Sequence, residues 1–361
     1  MTRLERWHVD WPLLAGVLLL CVLSLLLLYS AGGEDLSMLG RQALRITAAL
    51  AAMFAVAQIP PPALMRWSAH LFAVGLVLLC VVLVVGVTGK GAQRWLDLGV
   101  VRFQPAEVMK LAVPMAVAWL LSRRTLPPRW RDLLLASVVV AVPAVLIAMQ
   151  PDLGTAIMII ASGLCVVFLA GMGWRLIAAL AVGCTSVAPV LWFGYLHDYQ
   201  RQRILTLIDP WADPLGSGYH IIQSTIAVGS GGVFGKGWLN GSQSQLEFIP
   251  ERATDFIFAV YAEEFGFLGV LALLALYLFI IARGLMIANA AKNTYTRLLA
   301  GGLALTVFFY VFVNIGMVTG ILPVVGVPLP LVSYGGTSMV TLMAGFGIMM
   351  SIHTHHRLMA Q

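Results

Sequence analysis

The sequence predicts an all-α integral membrane protein, a bundle of about ten transmembrane helices with one long extracytoplasmic loop between helices 7 and 8. Two observations support this fold class. Of 361 residues, 60% are hydrophobic and only 11% are charged, whereas soluble domains carry about 25% charged residues. The apolar residues also form long uninterrupted runs, and a helix needs about 20 residues to cross the hydrocarbon core of a bilayer.

The apolar runs divide the chain into ten spans, and residues 1–361 are predicted to form a single polytopic membrane domain. The spans lie near residues 11–30, 41–58, 69–87, 106–122, 133–149, 155–170, 176–196, 256–282, 299–320 and 337–352. Residues 197–254 remain as a large outer loop. The first run is long enough to span a bilayer and more spans follow, so it predicts a retained helix and not a cleaved signal peptide.

Basic residues are unequally divided between the two sets of loops. An even number of spans places both termini on one side, together with the loops near 59–68, 123–132, 171–175 and 283–298. That side holds 12 of the 22 Lys and Arg residues but only three of the 16 acidic residues. Because positive residues collect on the cytoplasmic side, the pattern predicts cytoplasmic termini. The net charge of +6 therefore has a membrane explanation and indicates no nucleic-acid partner.

Charged side chains at membrane edges are functional candidates, because ionisable groups are costly in lipid. Glu107 and Lys110 open the fourth span three residues apart, so they share a helix face and can pair. They either line a polar cavity or act only as a capping carboxylate and a snorkelling Lys. Asp152 lies between the fifth and sixth spans, where it suits a helix N-cap as well as a binding role.

Asp255 lies where the large outer loop re-enters the membrane, beside Thr254 and Phe256. With Thr254 as the N-cap, Asp255 would fall in the first helical turn, at the interface among apolar side chains. A partly desolvated carboxylate in such a place suits a general base. The alternative is that Asp255 only caps the helix.

The large outer loop combines cationic, amide and glycine residues. Arg201 and Arg203 lie near its start, Lys236 lies within the glycine-rich run 229–238, and Gln243 follows. Glycine clusters can present backbone N–H groups to anions, although such a run can also be only a mobile loop. Together these residues predict binding of a sugar–phosphate head group, since cations suit a diphosphate.

A second outer loop, residues 321–336, contains Pro323, Pro328 and Pro330, which prevent a helix. The segment is apolar but not helical, so its backbone polar groups need partners within the protein or in a cavity. Asn314, inside the ninth span, is predicted to be one such partner.

These segments together resemble the SEDS family (shape, elongation, division and sporulation) over essentially the whole chain. The resemblance rests on the stretches GKGAQRWL, QPAEVMK, QPDLGT, residues 229–252, TDFIFAVYAEEFG and PLPLVSYGG, in this order. The stretches HDYQRQR and GILPVVGVPLPLVSYGG are most similar to the elongation-specific members of the family. Ala106 is a mild departure, because the family often has Ser at that place.

The resemblance implies a peptidoglycan glycosyltransferase of the bacterial inner membrane that polymerises lipid II into glycan strands during elongation and so maintains rod shape. Lipid II is the undecaprenyl-diphosphate-linked disaccharide pentapeptide of the cell wall. The implied partners are a class B penicillin-binding protein, which cross-links the strands, and the elongation proteins MreC, MreD and MreB. The transfer inverts the anomeric centre, so no covalent sugar–enzyme intermediate is required.

This chemistry assigns roles to the candidate residues. Asp255 is the predicted catalytic base, acting on the acceptor hydroxyl from the outer side of the membrane. The substrate-binding candidates are Arg94, Glu107, Lys110, Asp152, Arg201, Arg203, Lys236 and Gln243. A divalent cation, Mg²⁺ or Mn²⁺, could also supply positive charge to the leaving diphosphate, and the sequence identifies no ligands for it.

Two other functions stay open. A flippase would move lipid II across the membrane, and it would need polar groups at both leaflets, whereas the acidic residues here are almost all external. A non-catalytic scaffold of the elongation complex would leave the charged residues around Asp255 unexplained.

Overall fold

The structure, a computed structural model, describes residues 8–358 except 90–91, 98–101, 195–197, 217, 247 and 250. The elements are α1 (Trp11–Ala31), α2 (Leu36–Ala57), α3 (Pro61–Val85), β1 (Val87–Gly89), β2 (Ala92–Asp97), β3 (Arg102–Phe103), α4 (Pro105–Ser122), α5 (Trp130–Ala148), α6 (Leu153–Leu169), α7 (Trp174–Gly194), α8 (Asp198–Ile208), a 3-10 turn (Pro210–Ala212), α9 (Tyr219–Ser230), α10 (Ser242–Gln245), α11 (Ile257–Ala290), α12 (Thr294–Val318) and α13 (Thr337–Leu358).

A helix lies at each predicted span, which confirms the helical membrane class. Seven of the described helices are long and apolar enough to cross a bilayer: α1 to α5, α11 and α12. The number of about ten spans stays a prediction. Several helices begin earlier than their apolar runs; α2 begins at Leu36, α3 at Pro61 and α12 at Thr294. The reason is that apolar runs mark only the lipid core, whereas helices continue into the interface with polar residues such as Ser37 and Arg66.

A small antiparallel sheet between α3 and α4 departs from the all-helical expectation. Its strands run in the order β1-β2-β3. Val87 pairs with Trp95, and Leu96 pairs with Phe103. The alternation of apolar and polar residues in these short strands is too brief to stand out beside spans of about 20 apolar residues.

Helix α11 is bent at Gly266, whose φ of 64° and ψ of −165° lie outside the helical region. A positive φ is accessible to glycine without steric cost. The bend breaks the helical hydrogen-bond ladder and leaves the carbonyls of Glu263 and Glu264 and the N–H groups of Phe267 and Leu268 to bind elsewhere.

The glycine-rich segment of the large loop, residues 231–237, binds to this bend through backbone hydrogen bonds. The N–H groups of Lys236 and Gly237 donate to the carbonyls of Glu263 and Glu264, both at 3.0 Å. In return, the bend donates two N–H groups to the segment. These bonds are Phe267 N to Gly232 O at 2.9 Å and Leu268 N to Val233 O at 3.1 Å. The amides of Lys236 and Gly237 are therefore engaged by protein and do not present their N–H groups to an anion.

The two ends of the bundle are distinguished by the groups they gather. Asp10 caps α1 and forms ion pairs with Arg283 of α11 at 2.6 Å and with His353 of α13 at 3.3 Å. This end, which we call the terminal end, thus joins the start of α1 to the last turns of α13. The other end carries the sheet, the turn before α11 and residues 321–336 before α13, which we call the proline-rich segment. We call this end the Asp255 end.

Candidate active site

Asp255 lies in a turn that precedes α11. The N–H groups of Thr254 and Phe256 both donate to the Glu251 carbonyl, at 3.0 and 3.3 Å. These bonds close a turn, so the helix begins only at Ile257. The expectation that Thr254 caps the helix and that Asp255 sits in its first turn is therefore wrong. The N-cap position is Phe256, without a side-chain cap, which weakens the purely capping interpretation of Asp255.

Asn314 of α12 fixes this turn to the proline-rich segment. Its Nδ2 donates to the backbone carbonyl of Asp255 at 2.8 Å and to that of Val327 at 2.7 Å. The prediction that Asn314 satisfies backbone groups of this segment is confirmed. The Asp255 carboxylate faces Gly326, where a side chain's first carbon would lie 3.3 Å from Oδ2. Gly326 has a φ of +73°, so both its conformation and its lack of a side chain suit this position.

The same segment is tied to the turn by two further hydrogen bonds. Ser333 Oγ donates to the Thr254 carbonyl at 2.6 Å. The Tyr334 N–H donates to the Ala253 carbonyl at 2.8 Å. The backbone on both sides of the Asp255 carboxylate is thus held in place, as a positioned catalytic group requires.

The Glu107–Lys110 pair forms as predicted. Lys110 Nζ lies 2.7 Å from Glu107 Oε1, and both side chains are about nine-tenths buried. Lys110 also lies over the ring of Tyr310 on α12, with Nζ 5.5 Å from the ring centroid. Tyr310 precedes Asn314 by one helical turn, so α12 presents both on one face. Helix α12 therefore connects the Glu107–Lys110 pair to the turn that carries Asp255.

Asp152 caps a helix, as the sequence allowed, and also contacts two other elements, while its binding role stays a prediction. Its Oδ1 accepts from the Thr155 N–H at 3.2 Å, which caps α6. Its Oδ2 accepts from Gln104 Nε2 at 3.2 Å and lies 3.7 Å from Arg94 Nε. Arg94 Nη2 also donates to the Pro151 carbonyl at 2.6 Å. Asp152 thus joins the sheet, the start of α4 and the start of α6.

Helix α6 brings Asp152 beside the proline-rich segment. Gly154 lies directly against the Val325 carbonyl, with no room for a side chain. Met158, Tyr310 and Val327 form a small buried cluster one turn deeper. The structure therefore gathers five of the predicted site residues around the proline-rich segment: Arg94, Glu107, Lys110, Asp152 and Asp255.

Lys236 and Gln243 are organised by a different residue, the fully buried Glu263. Lys236 Nζ lies 2.7 Å from Glu263 Oε1, and the Gln243 and Ser244 N–H groups donate to this carboxylate at 3.0 and 3.2 Å. These contacts anchor the loop that precedes the Asp255 turn. Substrate binding by Lys236 and Gln243 stays a prediction.

Arg201 and Arg203 lie on α8, a short helix of the large loop. Arg201 Nη1 lies 3.9 Å from Asp198 Oδ1, one turn earlier on the same helix. The binding role of Arg201 and Arg203 also stays a prediction.

Sequence reasoning missed Gln104, Tyr310 and Ser333. Gln104 belongs to the QPAE stretch, and its amide could have been matched to a nearby carboxylate. Tyr310 could have been found from the i, i+4 spacing to Asn314. Ser333 bonds across 79 residues, and no local signal reports such a contact. In the described ranges, no group of three His, Cys, Asp or Glu side chains converges to hold a metal ion.

An apolar groove of about 740 Å³ runs along α6, α7 and α12 and reaches the proline-rich segment. Its walls include Ile160, Phe168, Phe308, Phe312 and Val325. A groove with such walls suits a hydrocarbon chain, and its end at Val325 lies beside Gly154 and hence near Asp152.

These features define a multi-pass membrane protein with a charged site at one end of the bundle and an apolar groove leading to it. The chain belongs to the FtsW/RodA/SpoVE family of cell cycle proteins, whose family model matches residues 7–358. It is 55% identical to the peptidoglycan glycosyltransferase MrdB of Escherichia coli K12 over 357 residues, 99% of this chain and 96% of that protein. It is 39% identical to the probable peptidoglycan glycosyltransferase FtsW of Idiomarina loihiensis, covering 89% of this chain and 79% of that protein.

Solved structures show the same fold. A chain from a peptidoglycan synthase complex, described as coordinating polymerization and crosslinking, superposes with a TM-score of 0.84 at 35% identity, covering 96% of this chain and 98% of that one. The rod shape determining protein RodA of Thermus thermophilus superposes with a TM-score of 0.72 at 33% identity, covering 95% and 96%.

Proposed function

We propose that this protein is a peptidoglycan glycosyltransferase that polymerises lipid II into glycan strands, with Asp255 as the catalytic base. The observation that carries the proposal is the double hydrogen bond of Asn314. These two bonds attach the Asp255 turn to the face of α12 that also carries Tyr310, which Lys110 contacts, at the end of an apolar groove.

The reaction needs a base for the acceptor hydroxyl and positive charge for the departing diphosphate. The Asp255 carboxylate takes the proton as the hydroxyl oxygen attacks the anomeric carbon, and the bond from that carbon to the diphosphate oxygen breaks. Lys110 and Arg94 stabilise the leaving group. Glu107 and Asp152 hold these cations in place, and because Lys has three N–H donors and Arg has five, donors remain for the diphosphate.

The groove along α6, α7 and α12 accommodates the polyprenyl tail of the donor. A lipid-linked substrate must leave its tail in the bilayer while its head group reaches the base, and a bundle with a lateral groove permits this. The groove volume of about 740 Å³ is lined almost entirely by apolar side chains, as expected for a hydrocarbon ligand.

The Asp255 end faces the outer side of the inner membrane in this proposal, and both termini are cytoplasmic. The support is the excess of basic residues in the loops of the terminal end. We propose a class B penicillin-binding protein as the cross-linking partner, in line with the synthase complex that contains a similar chain. MreC, MreD and MreB are proposed as further partners in elongation.

The test is polymerisation by the purified protein together with its penicillin-binding partner in detergent, with lipid II as the only substrate. Wild type should give glycan polymer on a gel. Asp255→Asn should lower the rate at least about 10²-fold, the contribution typical of a general base, while Asp35→Asn, at the exposed cap of α2, should not. Polymer from Asp255→Asn at the normal rate would remove Asp255 from the chemistry. Absence of polymer from wild type, together with lipid II transfer across vesicles, would favour the flippase.

A further inference from the structure

Arg45 of α2 is a half-buried cation at the Asp255 end of the bundle. Its guanidinium lies over the ring of Tyr334, with Cζ 4.4 Å from the ring centroid. Among the described residues no carboxylate pairs with it. Arg41, about one turn earlier, is different, because it is exposed and lies 3.8 Å from Asp35. A cation within a spanning helix indicates a functional site and requires a partner.

Gln42 shares a face with Arg45, three residues away, and is fully buried. Within the described part of the chain, neither Oε1 nor Nε2 of its side chain has a hydrogen-bond partner. Buried amides are nearly always hydrogen-bonded, and leaving one unsatisfied costs about 1–3 kcal/mol. The described residues therefore leave both polar atoms of this side chain open to a polar ligand.

The packing of α2 against α13 places Gln42 at the start of α13. The Met53 carbonyl abuts Gly347. Arg45 Nε lies 3.6 Å from the point where a Cβ atom at Gly336 would lie. The two helices therefore run parallel. Gln42 precedes Met53 by as many residues as Gly336 precedes Gly347, so Gln42 lies at the level of Gly336.

The first turn of α13 adds backbone N–H donors near Gln42 and Arg45. Initial N–H groups of a helix have no helical acceptor, and the helix dipole makes that end attractive to anions. The guanidinium of Arg45 and the buried Gln42 thus lie on α2 at the level where the 22-residue helix α13 begins. Arg is suited to phosphate because its planar fork donates two parallel hydrogen bonds.

The region around Arg45, Gln42 and the start of α13 is connected to the proposed base through the proline-rich segment. Tyr334, which stacks with Arg45, donates its N–H to the Ala253 carbonyl, and Ser333 binds the Thr254 carbonyl. Lys110 and Arg94 belong to α4 and β2, whereas Arg45 approaches the Asp255 turn from α2. Arg45 is therefore linked to the Asp255 turn by contacts separate from those of Lys110 and Arg94.

We propose that Arg45, Gln42 and the first turn of α13 form a second diphosphate site, which holds the head group of a second polyprenyl-diphosphate lipid. The proposal rests on the proposed function, because a polymerase of lipid-linked sugars must hold two such lipids on either side of one base. The site at Lys110 and Arg94 binds one diphosphate, and the site at Arg45 binds the other.

The test counts bound lipids by native mass spectrometry of the full chain in phosphatidylcholine nanodiscs, with undecaprenyl diphosphate as the probe. Wild type and Asp255→Asn should each bind two molecules. Arg45→Gln should bind one at the same concentration, with its second dissociation constant raised at least about tenfold, as expected for loss of a charge-assisted bond. Arg41→Gln is the matched control on the same helix and should retain two.

Three outcomes would overturn the proposal: two molecules bound to Arg45→Gln, an equal loss in Arg41→Gln, or displacement of the second molecule by equimolar phosphatidylglycerol. If Arg45→Gln does not fold, Arg45→Lys decides, since it keeps the charge but loses the fork; its second dissociation constant should also rise, and an unchanged value overturns the proposal. Inorganic diphosphate should compete with the second molecule and weaken its binding, which would identify the head group as the part that the protein recognises. Because binding is counted on Asp255→Asn too, failure of Asp255 as the base would leave this result unaffected.

Discussion

One side chain, Asn314, holds Asp255: its amide donates to the Asp255 carbonyl at 2.8 Å and to the Val327 carbonyl at 2.7 Å. Asn314 is fully buried within α12. Asn314 therefore joins the turn that carries the proposed base to the proline-rich segment, in addition to the bonds from Ser333 and Tyr334.

Asn314→Ala should leave both carbonyls without their donor, at a cost of about 1–3 kcal/mol for each unsatisfied group. Because Asn314 positions Asp255 and does not touch the substrate, we expect kcat for polymerisation to fall at least about tenfold with little change in KM. Asn293→Ala is the matched control, since Asn293 begins the same helix without a side-chain cap. Equal losses in kcat from both variants would contradict the positioning role.

Glu107→Ala and Lys110→Ala should each impair folding and polymerisation, because each leaves a buried charge without its partner at 2.7 Å. Breaking a buried pair typically costs about 3–5 kcal/mol. The double variant should be no worse than the sum of the two singles. Thermal unfolding in detergent and gel assays of polymer measure both effects, and normal polymerisation by both single variants would show that the pair is only a helix cap.

Asp10→Asn should destabilise the protein strongly at neutral pH, because Arg283 and His353 then lose their buried carboxylate. Asn caps a helix almost as well as Asp, so the change isolates the charge. Asp35→Asn is the matched control at the exposed cap of the next helix. Its unfolding temperature should equal that of wild type.

The effect of Asp10→Asn should also depend on pH. Burial alone would raise the pKa of Asp10, but hydrogen bonds from Arg283 and the Leu13 N–H outweigh burial and hold the pKa below its ordinary value of 3.8. The native state therefore binds fewer protons, so the stabilisation is complete above pH 3.8 and is lost as the pH falls through the native value. The difference in unfolding temperature between wild type and variant should shrink in that acidic range, and a constant difference would show that charge is not the cause.

Reporter fusions provide the test of orientation. Fusions after Arg124 and after His353 should report the cytoplasm, and fusions within residues 212–240 should report the outer side. The expectation follows from the excess of basic residues in the loops of the terminal end. A cytoplasmic signal from residues 212–240 would reverse the membrane orientation and with it the proposed access of Asp255 to an external substrate.

Local patterns in the sequence predicted the parts of the site that depend on spacing. The Glu107–Lys110 pair follows from a separation of three residues on a helix, and the cap by Asp152 follows from its place before an apolar run. Asn314 was predicted from chemistry, because an apolar, proline-rich segment needs hydrogen-bond donors. The apolar runs likewise located the helices, although not their ends, which depend on how far each helix extends into the interface.

What the sequence could not predict depends on long-range packing. The sequence left the glycine-rich run open between anion binding and a mobile loop, whereas in the structure it binds the bend at Gly266. A single glycine inside an apolar run gives no sign of such a bend. The exposed or buried state of Arg41 and Arg45 is also invisible in sequence, since only the packing of α2 on α13 separates them. The turn at Asp255 displaced the expected cap because the Glu251 carbonyl accepts the Phe256 N–H, which a cap at Thr254 could otherwise have accepted.

The bend in α11 is held by hydrogen bonds on both sides of Gly266. Residues 231–237 bind carbonyls before Gly266 and N–H groups after it, so the angle is fixed by four cross-links and not by glycine alone. A bend held by hydrogen bonds on both sides moves as one rigid unit, whereas an unsupported bend would change its angle. A partner that rotates residues 267–290 within the membrane would therefore also rotate residues 257–265, which follow the Asp255 turn directly.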